Sequence, residues 1–131
     1  MTAGLLDTSV VIGWDDPEVA GGLPDEASVC VVTVAELAAG PHLTTDLAER
    51  ARRQALLQQV ESLFDPIPVD VAVCRSYGQV VAAVVGAGRK PRGRFADLLI
   101  AAIAHANNLG LYTRNPDDFR GLEGLIRVNA L

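Results

Sequence analysis

Cysteine and histidine are scarce in this sequence, which has only two of each in 131 residues. Cys30 and Cys74 lie in apolar stretches without a second cysteine or a histidine at ligand spacing. This spacing argues against a zinc site. We interpret both cysteines as reduced thiols of the core, and the isolated His42 and His105 as structural or surface residues.

Long apolar runs are also missing. A membrane-spanning helix needs about 18 apolar residues, and the longest runs, at residues 80–85 and 98–104, are far shorter. The first six residues carry no basic side chain and are followed by Asp7, so they do not resemble a signal peptide. We therefore expect a cytoplasmic protein with no membrane association.

Positive charge is in short supply, with 11 Lys and Arg residues against 16 Asp and Glu residues and a net charge of −5. General nucleic-acid-binding proteins usually have the opposite balance, whereas an acidic pocket that holds cations would account for the excess. The basic residues are also unevenly spread. Arg89, Lys90, Arg92 and Arg94 crowd into one short segment.

Half of all residues are apolar and only 5% are aromatic. This composition suits helices packed closely on a sheet of buried strands. The length predicts one domain spanning residues 1–131. Apolar runs with β-branched residues predict strands at residues 5–6, 28–32, 66–69, 111–113 and 125–129. Helical spacing predicts helices at residues 10–14, 33–39, 45–63, 71–87 and 96–108.

This alternation of strands and helices predicts an α/β fold in which helices sandwich a parallel sheet. Functional sites in such sheets collect at the carboxyl ends of the strands. Asp7 and Asn115 each come directly after a predicted strand. The carboxyl edge of the sheet is therefore where a site is expected.

Each acidic residue near this edge also has a purely structural interpretation. Asp7 could cap the helix that follows it. Glu36 ends the sequence Thr33-Val-Ala-Glu, which has the pattern of a capping box. Asp97 could cap the helix at 96–108, and Asn115 could cap a turn.

Taken together, however, Asp7, Glu36, Asp97 and Asp118 should meet at the same sheet edge. Carboxylates a few ångströms apart repel one another unless a cation joins them. Clusters of oxygen ligands suit Mg²⁺ or Mn²⁺. Asp97 is the strongest member, because it is the only acid in an otherwise apolar helix.

Four short motifs strengthen this interpretation. They are LLDTSV from Leu5, TVAEL from Thr33, DLLIAA from Asp97 and TRNPDDF from Thr113. Their order and spacing resemble those of the PIN-domain nucleases. The overall size is similar to that of the VapC toxins of bacterial toxin–antitoxin pairs.

The resemblance implies an acidic site in which the metal is bound mainly by Asp7 and Asp97. Glu36 either binds the metal or serves as general base. Many family members carry an aspartate where this chain has Asn115, so Asp118, or alternatively Asp117, would supply the fourth carboxylate. The hydroxyls of three further residues, together with the Asn115 amide, would orient the carboxylates; these residues are Thr8, Ser9 and Thr113.

The resemblance also implies a Mg²⁺-dependent endoribonuclease that cuts structured RNA, such as transfer or ribosomal RNA, and thereby blocks translation. Such a toxin is inhibited by an antitoxin that covers the acidic groove, and it commonly forms a homodimer. The basic segment should contact RNA phosphates, as should Arg114. The substitution at Asn115 leaves an alternative open, namely a non-catalytic PIN-like module that binds RNA or protein.

Overall fold

Four short parallel strands form one sheet in the structure, a computed structural model that describes residues 2–131. They are β1 (Ala3–Leu6), β2 (Glu26–Ser28), β3 (Gly110–Thr113) and β4 (Val128–Ala130). Their order is β2-β1-β3-β4, and every neighbouring pair is parallel. The ends of β1 and β3 are therefore adjacent, and the residues that follow these strands meet at one edge.

Six α-helices connect and cover the strands in the described part of the chain. They are α1 (Thr8–Ile12), α2 (Pro17–Ala20), α3 (Val31–Ala39), α4 (Leu47–Leu63), α5 (Val71–Gly86) and α6 (Phe95–Ala106). Two short 3₁₀ helices, Gly40–Leu43 and Pro116–Phe119, complete the fold. None of the helices in residues 2–131 combines the length and apolarity needed to cross a bilayer.

The core lies on both faces of the sheet. Leu5 packs in a cluster with residues of α5 and α6, whereas Leu6 packs in a second cluster with residues of α1, α3 and α4. Successive strand residues point to opposite faces, which is why these neighbours enter different clusters. The predicted α/β fold with a parallel sheet between helices is confirmed.

Three predicted strands have the wrong bounds or do not exist. Residues 66–69 form no strand, because Pro66 and Pro68 lack the amide needed for a ladder. Only Ile67 forms a bridge there, with Cys30. Residues 31 and 32 belong to α3 and not to a strand, since tertiary packing overrides their β propensity. The last strand starts at Val128, because residues 125 and 126 instead turn into the core.

The two cysteines have different environments. Cys30 is completely buried, and burial raises the pKa of its thiol. Cys74 is exposed on α5, so its interpretation as a core residue is wrong. It lies on the exposed side of α5 with Arg75, although most of its neighbours in the sequence are apolar. His105 has the structural role that was expected, since its Nδ1 lies 3.0 Å from the Ser76 hydroxyl.

Candidate metal centre at the carboxyl edge of the sheet

Asp7 lies directly after β1, and its backbone amide donates to the Tyr112 carbonyl of β3 (3.0 Å). Its side chain is only 5% exposed. The carboxylate caps α1 as expected, with Oδ1 accepting from the Val10 amide (3.2 Å) and from the Ser9 hydroxyl (2.5 Å). Both bonds go to Oδ1, and Oδ2 accepts none from the described residues. The cap therefore leaves one carboxylate oxygen available for a metal.

Ser9 connects Asp7 to the end of β3. The Arg114 amide donates to Ser9 Oγ at 3.0 Å, and Ser9 donates its own proton to Asp7. The Thr113 hydroxyl accepts from the Asn115 amide at 3.0 Å. These contacts fix the Asp7 carboxylate relative to both strands.

Glu36 is held by a pair of threonines and not by a helix end. Its Oε1 accepts from the Thr8 hydroxyl at 2.6 Å, and the Thr8 oxygen lies 3.0 Å from the Thr33 hydroxyl. Because Thr8 gives its only proton to the carboxylate, Thr33 must donate to Thr8. The expected capping box is wrong: α3 begins at Val31, so Thr33 is a buried residue inside the helix.

Asp97 lies in the first turn of α6, and Arg94 occupies the cap position of that helix, so the expected capping role of Asp97 is wrong. Burial raises the pKa of the Asp97 carboxyl, and the negative charges of Asp118, Glu36 and Asp7 raise it further, in that order. Arg94 acts in the opposite direction. The charges of three carboxylates from different parts of the fold therefore act on the Asp97 carboxyl group.

The fourth carboxylate comes from the 3₁₀ helix Pro116–Phe119. Asp118 is half-buried, and its charge is the largest electrostatic influence on Asp97. Asp117 is exposed and pairs with Arg120 at 2.8 Å. Asn115 occupies the cap position, but its side chain makes no capping hydrogen bond. The structure therefore brings Asp118, and not Asp117, to the acidic cluster.

The donor set fits a hard divalent cation, because it consists of carboxylate and hydroxyl oxygens. Among residues 2–131, no three Asp, Glu, His or Cys side chains lie close enough to hold one ion as they stand. A bound ion would therefore have to draw side chains of the acidic cluster closer together.

Most of the basic residues near this cluster are engaged with the protein itself. Arg89 and Arg94 donate to backbone carbonyls of residues 117–120, and Arg114 pairs with Asp16 at 3.1 Å. Lys90 and Arg92 are exposed, and no described residue pairs with them. Three of the five predicted phosphate contacts therefore have hydrogen-bond partners within the protein, and two have none among the described residues.

Sequence reasoning missed an apolar groove of about 620 Å³ that begins at Thr8 and Glu36. It runs between α1, α3 and α4 and ends at Arg52 and Arg53. Ile12 and Leu43, which line it, are 64% and 76% exposed. The sequence did not indicate the exposure of Ile12, because its neighbour Val11 is buried.

The PIN domain family matches residues 4–125. This is the family that the four sequence motifs indicated. The chain belongs to the PIN-domain family. Among characterised relatives, it is 36% identical over 133 residues to ribonuclease VapC5 of Mycobacterium tuberculosis, a match that covers 98% of this chain and 94% of the relative. It is 38% identical over 101 residues to ribonuclease VapC8 of the same species, covering 77% and 89%.

Solved structures show the same relationship. VapBC-5 of M. tuberculosis, a member of the VapBC family of toxin–antitoxin systems, superposes with a TM-score of 0.86 at 33% identity, over all of both chains. FitAcB of Neisseria gonorrhoeae superposes with a TM-score of 0.78 at 26% identity, over 95% of each chain. These matches confirm the resemblance to VapC-type toxins.

Proposed function

We propose that this chain is an endoribonuclease that depends on Mg²⁺ or Mn²⁺, and the toxin of a type II toxin–antitoxin pair. It cuts structured RNA such as transfer or ribosomal RNA in the cytoplasm. The names of its relatives support ribonuclease activity. The observation that carries the proposal is the position of Asp7 at the end of β1 beside β3, with Oδ2 left without a hydrogen bond from the described residues. The charges of Asp118, Glu36 and Asp7, which all act on Asp97, support it.

In this proposal Asp7, Asp97 and Asp118 hold the metal. When bound, Mg²⁺ lowers the pKa of its water and polarises a phosphate oxygen. Ser9 keeps the Asp7 carboxylate oriented through Oδ1. Glu36 is held by Thr8 through Oε1, so its second oxygen is free either to bind the metal or to take the proton of the attacking water.

The first test is the metal requirement of RNA cleavage. Purified protein incubated with structured RNA should cleave it in the presence of Mg²⁺ or Mn²⁺ and not in excess chelator. Mapping of RNA 5′ ends after expression without a partner would identify the RNA that is cut. Sustained RNA binding without cleavage under any divalent ion would instead establish the alternative, a non-catalytic binding module.

Substrate binding depends on positive charge, because the acidic edge repels RNA. In the segment that precedes α6, Lys90 and Arg92 are exposed and pair with none of the described residues. We assign phosphate contact to these two, because the guanidinium groups of Arg89, Arg94 and Arg114 already have partners within the protein.

The double variant Lys90→Glu and Arg92→Glu should therefore bind RNA more weakly. The logarithm of the binding constant falls linearly with the logarithm of the salt concentration, and each lost phosphate contact makes this slope shallower by about 1. We therefore expect a slope that is shallower by about 2. Anisotropy titrations in chelator at several salt concentrations measure this. The matched control is Arg75→Glu with Arg127→Glu, which has the same net charge. An equal loss in both double variants would reject a local contact.

The proposed protein partners are an antitoxin and a second copy of the chain. Solved structures similar to this chain are toxin–antitoxin complexes, including VapBC-5. The groove that begins at Glu36 is apolar and open, and its position suits an antitoxin segment that covers the acidic edge. Occupation of this groove would hold Glu36 away from RNA.

A further inference from the structure

We propose that Arg89 and Arg94 are positioning residues for Asp118, because they clamp the 3₁₀ helix that carries it to the segment before α6. The proposal changes the role of two residues whose sequence context indicated RNA contact. Its catalytic consequence rests on the proposed nuclease function, whereas the clamp itself does not.

Three charge-assisted hydrogen bonds form the clamp. Arg89 Nη1 donates to the carbonyls of Asp117 and Arg120, both at 2.9 Å. Arg94 Nη1 donates to the Asp118 carbonyl at 3.1 Å. Each bond joins residues that are 24 to 31 positions apart in the sequence. The two arginines thus hold the backbone on both sides of the Asp118 side chain.

Arginine is chemically suited to this role. The Asp117 carbonyl already accepts from the Arg120 amide (3.3 Å), and a positive charge near the carbonyl end of a helix is favourable. One guanidinium nitrogen carries two N–H groups in a fixed plane, so Arg89 Nη1 can serve two carbonyls at once. A lysine would supply the charge without this fixed geometry.

The backbone packs closely on one side of the clamp. Gly121, which follows the 3₁₀ helix, has a φ of +97°, and a Cβ added there would lie 2.9 Å from the Ala87 Cβ at the end of α5. The segment that carries the arginines turns at Gly88 (φ +76°) and Gly93 (φ +79°). Close packing at Gly121 therefore limits where the 3₁₀ helix can lie, and the two turns lie in the segment that brings the arginines to its carbonyls.

Arg94 also relates two members of the acidic cluster. It occupies the cap position of α6, three residues before Asp97, while its guanidinium holds the residue 118 carbonyl. The start of α6 and the turn with Asp118 are therefore tied through one side chain. A loosened tie should let Asp118 drift from Asp97 and weaken the binding of a divalent ion.

The experiment compares Arg89→Met and Arg94→Met with the conservative Arg89→Lys and with Arg75→Met, an exposed arginine on α5. Hydrogen exchange of the amides at residues 115–122 reports the clamp directly. Calorimetry with Mn²⁺ alone reports the acidic cluster. Steady-state RNA cleavage separates kcat from KM.

We expect faster exchange at residues 115–122 in both methionine variants and Mn²⁺ binding weakened about 10- to 100-fold, the usual cost of losing a residue that orients metal ligands. The kcat should fall with KM nearly unchanged, and Arg89→Lys should recover part of both losses. Arg75→Met should match the wild type in every measurement.

Unchanged exchange in both methionine variants would overturn the clamp. Faster exchange with a raised KM and an unchanged kcat would also overturn it, since the arginines would then act as RNA contacts. If the wild type itself cleaves no RNA, the nuclease proposal fails, but faster exchange with weaker Mn²⁺ binding would still support the clamp.

Discussion

Asp97→Asn should reduce RNA cleavage by at least about a hundredfold while raising the stability of the fold at neutral pH. Loss of a residue that merely orients metal ligands costs about 10- to 100-fold, and a carboxylate that holds the ion should cost no less. The amide has nearly the same shape but no charge. Activity and stability should therefore change in opposite directions.

The gain in stability follows from the pKa of Asp97. Burial and the charges of Asp118, Glu36 and Asp7 raise this pKa above its ordinary value. The folded state therefore holds the proton more tightly than the unfolded state, and the wild type loses stability as pH rises through the raised pKa. Asparagine imitates the protonated form, so its advantage should be absent below the ordinary aspartate pKa and complete above the raised one.

Denaturant unfolding at several pH values, measured in chelator, tests this prediction beside the cleavage assay. Asp65→Asn is the matched control, because Asp65 is exposed and far along the chain from the site residues. It should change neither stability nor cleavage. A variant Asp97→Asn that cleaves RNA at the wild-type rate would refute the proposed metal site.

The acidic cluster was predictable because short motifs and a general rule of topology identify it. Asp7 follows a strand, and residues after neighbouring parallel strands meet at one edge of the sheet. Asp97 stands out as the only acid of an apolar helix. Neither inference needs the exact register of the sheet. Errors of one or two residues in the bounds of β1 and β3 therefore did not change which acids were expected at this edge.

The contacts of individual side chains were not predictable in the same way. Thr33 appeared to start a helix, but the structure buries it beside Thr8. There it hydrogen-bonds the Thr8 hydroxyl, which in turn donates to Glu36. Arg89 and Arg94 were predicted to contact RNA phosphates, because their carbonyl partners are distant in the sequence and could not be foreseen. The sequence pattern records charge, whereas the partner of a charge depends on how the chain folds.

Phe119→Ala should lower the free energy of unfolding by about 3–5 kcal/mol, the usual cost of truncating a buried phenylalanine. Phe119 is 1% exposed and is among the largest fully buried side chains of the described core. It packs in the cluster that also contains Leu111 and Leu122. Because domains of this size are stable by about 5–15 kcal/mol, the variant should remain folded but unfold at a much lower denaturant concentration.

The same residue links stability to the site, since it follows Asp118 directly and anchors the 3₁₀ helix in the core. Phe95→Ala is the matched control: that ring is 63% exposed and forms a T-shaped pair with Tyr77 at a centroid distance of 5.5 Å. Its loss should cost about 0.5–1.5 kcal/mol. At a temperature where both variants are folded, Phe119→Ala should also bind Mn²⁺ more weakly than Phe95→Ala. Equal stability losses in the two variants would show that the core does not anchor the turn that carries Asp118.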